Sequence, residues 1–179
     1  MPVHVAFLRA VNVGTRQVRM ADLRTVLAEA GFDEVETYIQ TGNVRVRTSA
    51  RSTAKVAAEL GKVIEAWKGF DVPCVVRTPA QLSALVAAVD AVPALLDPAG
   101  KRYVALADGT VPQAAATRLD AWDANGERVR VLGSAVLAEL GNPFNQTTLT
   151  NARIEKMTGL HTTWRDLKVV RELAERWGA

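Results

Sequence analysis

The 179-residue chain contains one cysteine, Cys74, and two histidines, His4 and His161. A lone thiol excludes an intramolecular disulfide. Three such widely separated residues give no metal-ligand spacing, so no metal is expected. Aromatic residues make up only 6% of the chain, and no aromatic-rich nucleic-acid recognition motif lies on its strands. No stretch approaches about 18 uncharged apolar residues, the length that spans a bilayer. The segment Met1 to Val11 is short and interrupted by Arg9, unlike a signal peptide. A phosphate-cradling Walker loop, a nucleophile elbow and a dinucleotide fingerprint are all missing. No cofactor is therefore expected, no catalytic residue is identified, and a soluble, cytoplasmic protein is the expectation.

What is present is a hydrophobic content of 49%, enough for a sizeable core. The net charge of +3 is unevenly placed. Residues 1–78 hold 11 Lys/Arg and 8 Asp/Glu, whereas residues 79–179 hold 11 of each. This bias is far milder than that of a nucleic-acid arm.

Hydrophobic periodicity divides the chain into alternating strands and helices. The apolar run Val3–Arg9 predicts a strand, and Met20–Ala30 a helix ended by Gly31. Glu34–Gln40 alternates, with Val35, Thr37 and Ile39 facing one way. Thr41-Gly42 then turns the chain into Val44–Arg47, forming a hairpin. Thr53–Trp67 predicts a helix and Val72–Arg77 a short edge strand, where Pro73 is tolerated. Thr78 as cap and Pro79 as first helical residue open a further helix to Ala91. The linker candidate is Pro93 to Lys101. Beyond it come a strand (Arg102–Ala107), a helix (Pro112–Trp122), a hairpin (Glu127–Leu132 with Ala135–Leu140), a helix (Leu149–Met157), a strand (Leu160–Trp164) and a helix (Arg165–Trp177). The pattern is an α+β chain of two ferredoxin-like (β-α-β-β-α-β) modules in tandem, each with an added C-terminal helix. The expected boundaries are 1–92 and 99–179.

In that arrangement the strand order 4-1-3-2 places the end of the first strand beside the first hairpin. Arg9 to Gly14 then meets Gln40 to Asn43, near the start of the first helix and close to Arg16 and Arg19. Glycine, arginines and a helix start together suit an anion. The candidate ligand-binding residues are Arg9, Asn12, Gly14, Tyr38, Gln40 and Asn43. The structural alternative is a loop closed by asparagine and glycine, beside a hairpin whose Asn43 stabilises the turn.

Other candidates are weaker. Cys74 reads as a buried strand thiol, and His4 as structural. His161 lacks any nameable carboxylate partner. Trp67, Trp122, Trp164 and Trp177 fall at element ends, as core edges or module contacts do. Asn142 to Asn145 reads as a structural turn.

Arg9-Ala10-Val11-Asn12-Val13-Gly14 resembles the Arg-Gly-Ile-Asn-Val-Gly signature of the bacterial domain-of-unknown-function 1697 family. Tyr38-Ile39-Gln40-Thr41-Gly42-Asn43-Val44 is similar to that family's Tyr-Ile-Gln-Ser-Gly-Asn-Val. Met20 to Arg24, Gly31-Phe32 and Asp71 to Thr78 also resemble it, so the likeness spans residues 1–91. It continues more faintly at Thr163 to Val170. Two departures stand out. Ala10 replaces a glycine, and Trp164-Arg165-Asp166 stands where the family has a segment like Arg-Asn-Trp. The resemblance implies a fold but no activity.

Three functions are compatible with these residues. The first is a binding module for a small anionic ligand, such as a nucleotide or phosphorylated metabolite. The second is a hydrolase of acyl-phosphate type using the same residues. The third is single-stranded nucleic-acid binding through the face carrying Arg45, Arg47 and Tyr38.

Overall fold

A computed structural model describes residues 1–179. The chain is a mixed α+β protein with two antiparallel sheets and six α-helices. It divides into two compact units, Met1–Leu82 with Leu173–Ala179, and Ser83–Glu172. No helix is long and apolar enough to cross a membrane.

The first unit carries β1 (Val3–Leu8), α1 (Met20–Glu29), β2 (Asp33–Tyr38), β3 (Asn43–Arg47), α2 (Thr53–Lys68) and β4 (Cys74–Arg77). Its sheet order is β2-β3-β1-β4, the order the sequence predicts. Strand β1 pairs antiparallel with both β3 and β4, and Phe7 lies opposite Asn43. Alternation along β1 sends Ala6 and Leu8 into a core with Leu23, Leu27, Val56, Leu60 and Ile64 of the two helices. Helix α2 begins at Ser52, whose side chain accepts from Lys55 N–H, and ends at Gly69 in the left-handed region.

Helix α3 (Pro79–Asp90) follows β4. Its start is a reciprocal cap: Gln81 N–H donates to Thr78 Oγ1, and Thr78 N–H to Gln81 Oε1.

The second unit carries β5 (Lys101–Ala107), α4 (Gln113–Asp120), β6 (Asp123–Ala124), β7 (Glu127–Leu132), β8 (Ala135–Leu140), a 3-10 turn (Phe144–Gln146), α5 (Asn151–Thr158) and β9 (Thr162–Asp166). Its five-stranded order is β6-β7-β8-β5-β9. Its core gathers Ala105, Leu119, Val136, Leu149 and Ile154, with Phe144 and Trp164 against it. The last helix, α6, spans Leu167–Trp177.

Three details differ from expectation. The first hairpin has a four-residue loop, Ile39 to Gly42, instead of a two-residue turn. Ile39 takes φ 51° and is exposed, so it leaves the apolar face its alternation suggested. The short β6 is an added edge strand that its two residues were too few to reveal. The last strand runs two residues further than its sequence pattern indicated, to Asp166, which caps α6 by accepting from Lys168 N–H at 2.9 Å.

The final strand of each unit carries a buried arginine, at its last position in β4 and its penultimate position in β9. Arg77 and Arg165 are 8% and 7% exposed and lie opposite Val5 of β1 and Val104 of β5. A capping residue follows each, Thr78 or Asp166, and then an amphipathic helix. Leu82, Leu85 and Val89 are buried in α3, and Val170, Leu173 and Trp177 recur at the same spacing in α6.

Candidate functional site

The site is built from the end of β1. Leu8 N–H donates to Gly42 O at 2.8 Å, and Arg9 N–H to Pro73 O at 2.9 Å. From there φ alternates in sign: Ala10, Asn12 and Gly14 take 53°, 56° and 58°, while Val11 and Val13 remain negative. Backbone of alternating hand turns successive N–H groups toward a common concavity. Within the loop, Asn12 N–H is committed to Arg16 O at 2.8 Å.

Asn12 closes this loop with its side chain as well. Oδ1 accepts from Val18 N–H at 2.8 Å, and Nδ2 donates to Val18 O at 2.9 Å. The same Nδ2 donates to Gln40 O at 2.6 Å, bridging to the hairpin loop. The two sequence segments therefore meet, and Asn12 is the stitch.

Gly42 makes the approach close. A Cβ there would stand 2.7 Å from Val11 Cγ2 and 2.8 Å from Leu8 Cβ, at a φ of 80° that side chains disfavour. Asn43 is fully buried, with Nδ2 donating to Tyr38 O at 3.1 Å and Thr41 Oγ1 at 3.0 Å. Both amide hydrogens thus hold the turn.

The surrounding residues divide by exposure. Arg9 is half-buried beside the loop, and Gly14 and Gln40 are exposed. Arg16 lies across the Phe70 ring at 4.5 Å and donates to the Asp71 carbonyl. Tyr38 lies beneath Arg176, which stands 4.7 Å from its ring centre. Trp177 Nε1 reaches Glu36 Oε2 at 3.2 Å. Arg45 is 17% exposed and bonded to Glu36 at 2.9 Å and Glu34 at 3.3 Å; Arg47 pairs with Glu34 at 3.2 Å. The arginines of this sheet face are thus matched by carboxylates on the neighbouring strand, where Glu36 lies directly opposite Arg45 and Glu34 follows Asp33, the residue opposite Arg47.

Several chemically notable groups escape sequence reading. Glu127, 1% exposed, accepts from Trp122 Nε1, Thr147 Oγ1, Thr148 N–H and Thr148 Oγ1. Glu139, fully buried, accepts from the N–H groups of Leu95, Leu96 and Gly100 and from Arg102 Nε. Burial alone would raise both pKa values, but these donors outweigh it and hold both carboxyls below their usual range. His161 does have a carboxylate partner, since Nδ1 lies 3.0 Å from Asp108 Oδ2. That pair sits on the surface, with the two side chains 61% and 36% exposed. Cys74 is inert by environment, because burial, reinforced by Asp71, pushes its thiol up to about 12. Arg165 is pushed down to about 10 by burial and donates to Thr163 Oγ1 and Trp164 O.

His4 is fully buried, and neither ring nitrogen meets a hydrogen-bond partner at proper geometry. Burial lowers its pKa, and the nearby Arg51 backbone opposes that shift only in part.

A solved structure of the conserved bacterial protein SP0830 from Streptococcus pneumoniae is similar to the chain, with a TM-score of 0.69 at 18% identity. The match covers 99% of this chain and 98% of that one, and at such identity it shows a shared fold. No curated protein matches the sequence. The family model described as a protein of unknown function, DUF1697, matches residues 1–137, reaching well past the signature segments into β8. The chain belongs to the DUF1697 family.

Proposed function

We propose that the protein is a binding module for a small anionic ligand, a nucleotide or phosphorylated metabolite, held at the Arg9–Gly14 loop and the neighbouring Gln40 loop. The observation that carries this reading is the alternating φ of Ala10 to Gly14 directly after Arg9. Such a backbone offers convergent N–H groups, here those of Ala10 and Gly14, and the guanidinium supplies the charge. Asn12, Tyr38 and Asn43 serve as the frame, because their polar groups already hold the loops together or stack on Arg176. Gly14 and Gln40 are the exposed members left to touch a ligand.

The surrounding architecture is read as two ferredoxin-like modules in tandem, residues 1–92 and 99–179, each followed by a helix. Support comes from the order β2-β3-β1-β4 in one sheet and β7-β8-β5-β9 within the other.

The acyl-phosphate hydrolase reading is less well supported. It needs an asparagine amide to orient water, and both Asn43 amide hydrogens are committed to Tyr38 and Thr41. Nucleic-acid binding is disfavoured by the pairing of Arg45 and Arg47 with Glu34 and Glu36.

A thermal-shift screen with nucleotides, phosphorylated metabolites, acyl phosphates and short oligonucleotides tests the reading. A ligand at hundredfold excess over its dissociation constant stabilises the folded state by about 2.7 kcal/mol. The shift should vanish in Arg9→Ala and be partly restored in Arg9→Lys. A shift unchanged in Arg9→Ala would place the ligand elsewhere.

A further inference from the structure

Within the second unit, the start of α6 and the start of β5 line an open surface pocket of about 220 Å³. Its walls are Lys101, Arg102, Asp166, Leu167, Lys168 and Arg171, four cations against one carboxylate. The volume equals that of roughly seven waters at their liquid packing, enough for an oxyanion with a short aliphatic body.

The charges are not equally available. Arg102 is fixed as the back wall, donating to Glu139 Oε2 at 2.9 Å and to the carbonyls of Val92 and Pro93. Lys101 lies 2.7 Å from Asp166 Oδ2, and Asp166 Oδ1 also accepts from Lys168 N–H. The carboxylate therefore occupies the helix start itself, and the case rests on side chains around the cavity. Arg171 is held by one bond, 2.6 Å to Asp90, with both side chains about half exposed. Lys168 ion-pairs with no carboxylate. Lys168 thus makes no ion pair at contact distance but acts through its charge on Asp166, helping to lower that carboxyl's pKa, and Arg171 has one surface ion pair that is easily exchanged.

We propose that this cavity is a second anion site, taking a small phosphomonoester through Lys168 and Arg171. Leu167 and the aliphatic stems of Lys101 and Lys168 would line the ligand's carbon body. Arg171 exchanges Asp90 for the phosphate, a better acceptor because it can take two parallel N–H bonds. A three-carbon phosphomonoester matches the volume, whereas inorganic phosphate would gain the charge contacts without the apolar ones.

Calorimetric titration of the full chain with glycerol 3-phosphate, inorganic phosphate and glycerol at fixed ionic strength tests the site. The expected result is saturable binding of the phosphomonoester, weaker binding of phosphate and none of glycerol. Lys168→Ala with Arg171→Ala should weaken phosphomonoester binding at least about tenfold, one charge-assisted contact being worth that much. Both side chains lie on the surface, so the variant keeps the fold, which circular dichroism checks. Arg9→Ala should leave this affinity unchanged. Measured in the Arg9→Ala background, which removes any anion held by the first loop, absence of saturable heat or binding that survives the double variant overturns the proposal. Affinity lost in Arg9→Ala alone assigns the anion to the first unit and overturns it equally.

Discussion

Asn12 Nδ2 donates to the Gln40 carbonyl across 28 residues of sequence, at 2.6 Å. The bond joins the loop after β1 to the β2–β3 loop, and the same side chain closes its own loop on both polar groups of Val18. Asn12→Ala should cost about 2 kcal/mol, since three hydrogen bonds go and the nearly buried Val18 N–H loses its acceptor. Urea unfolding measures this. A cost under about 0.5 kcal/mol, the size of an ordinary surface change, would show that the stitch is dispensable.

Ala10 occupies φ 53°, where a Cβ is strained. Ala10→Gly should raise stability by about 0.5–1 kcal/mol, because relief of the left-handed strain exceeds glycine's extra unfolded-state entropy. A lower urea midpoint in the variant contradicts that balance.

Gly42 fails in the opposite direction. Gly42→Ala drives a methyl to 2.7 Å from Val11 and 2.8 Å from Leu8, both well buried. Overpacking and positive φ together should cost about 2–4 kcal/mol. Thermal unfolding that matched wild type would mean the loop moves away freely.

His4 sets an acid limit. Its folded pKa lies below the usual 6.5 because burial disfavours the charge. Between the two pKa values the unfolded state binds more protons, so stability is complete above about 6.5 and falls as pH drops toward the folded value. His4→Leu should flatten the stability profile in that window. An unchanged slope just below about pH 6.5 would assign the effect to other groups.

Glu139 anchors the segment between the two halves of the sequence through three backbone N–H groups and Arg102. Glu139→Ala should cost about 3–5 kcal/mol, because Arg102 and these donors are left uncompensated. The wild-type contribution is present above the ordinary glutamate pKa and lost as pH falls through the lowered one. Chemical denaturation at pH 7 measures the loss, and a cost below about 1 kcal/mol would show that water replaces the carboxylate.

Local signals in the sequence carried the parts of the fold that depend on neighbours in the chain. Thr78 and Pro79 mark a helix start because capping is a matter of three residues, and the pair is found capping α3. The sheet order follows from the β-α-β-β-α-β order of elements, and with it the meeting of Arg9–Gly14 and Gln40–Asn43. Long-range contacts were not legible. Arg176 covers Tyr38 from 138 residues away, a distance no periodicity spans. Asp108 reaches His161 from 53 residues away, although the sequence places it in a turn. Glu127 and Glu139 are charged residues in strands, which read as solvated until their donors are located. Ile39 looked inward by alternation, but alternation stops where φ turns positive.

The proposed function requires the loop from Ala10 to Gly14 to hold an anion. Nitrogen-15 NMR titration of the full chain with inorganic phosphate tests it most directly, by reading each amide separately. Saturable, downfield shifts concentrated at Ala10, Gly14 and Gln40, lost in Arg9→Ala, are the predicted result. Shifts absent from that loop at saturating phosphate, or unchanged without Arg9, would contradict it and leave the loop as framework alone.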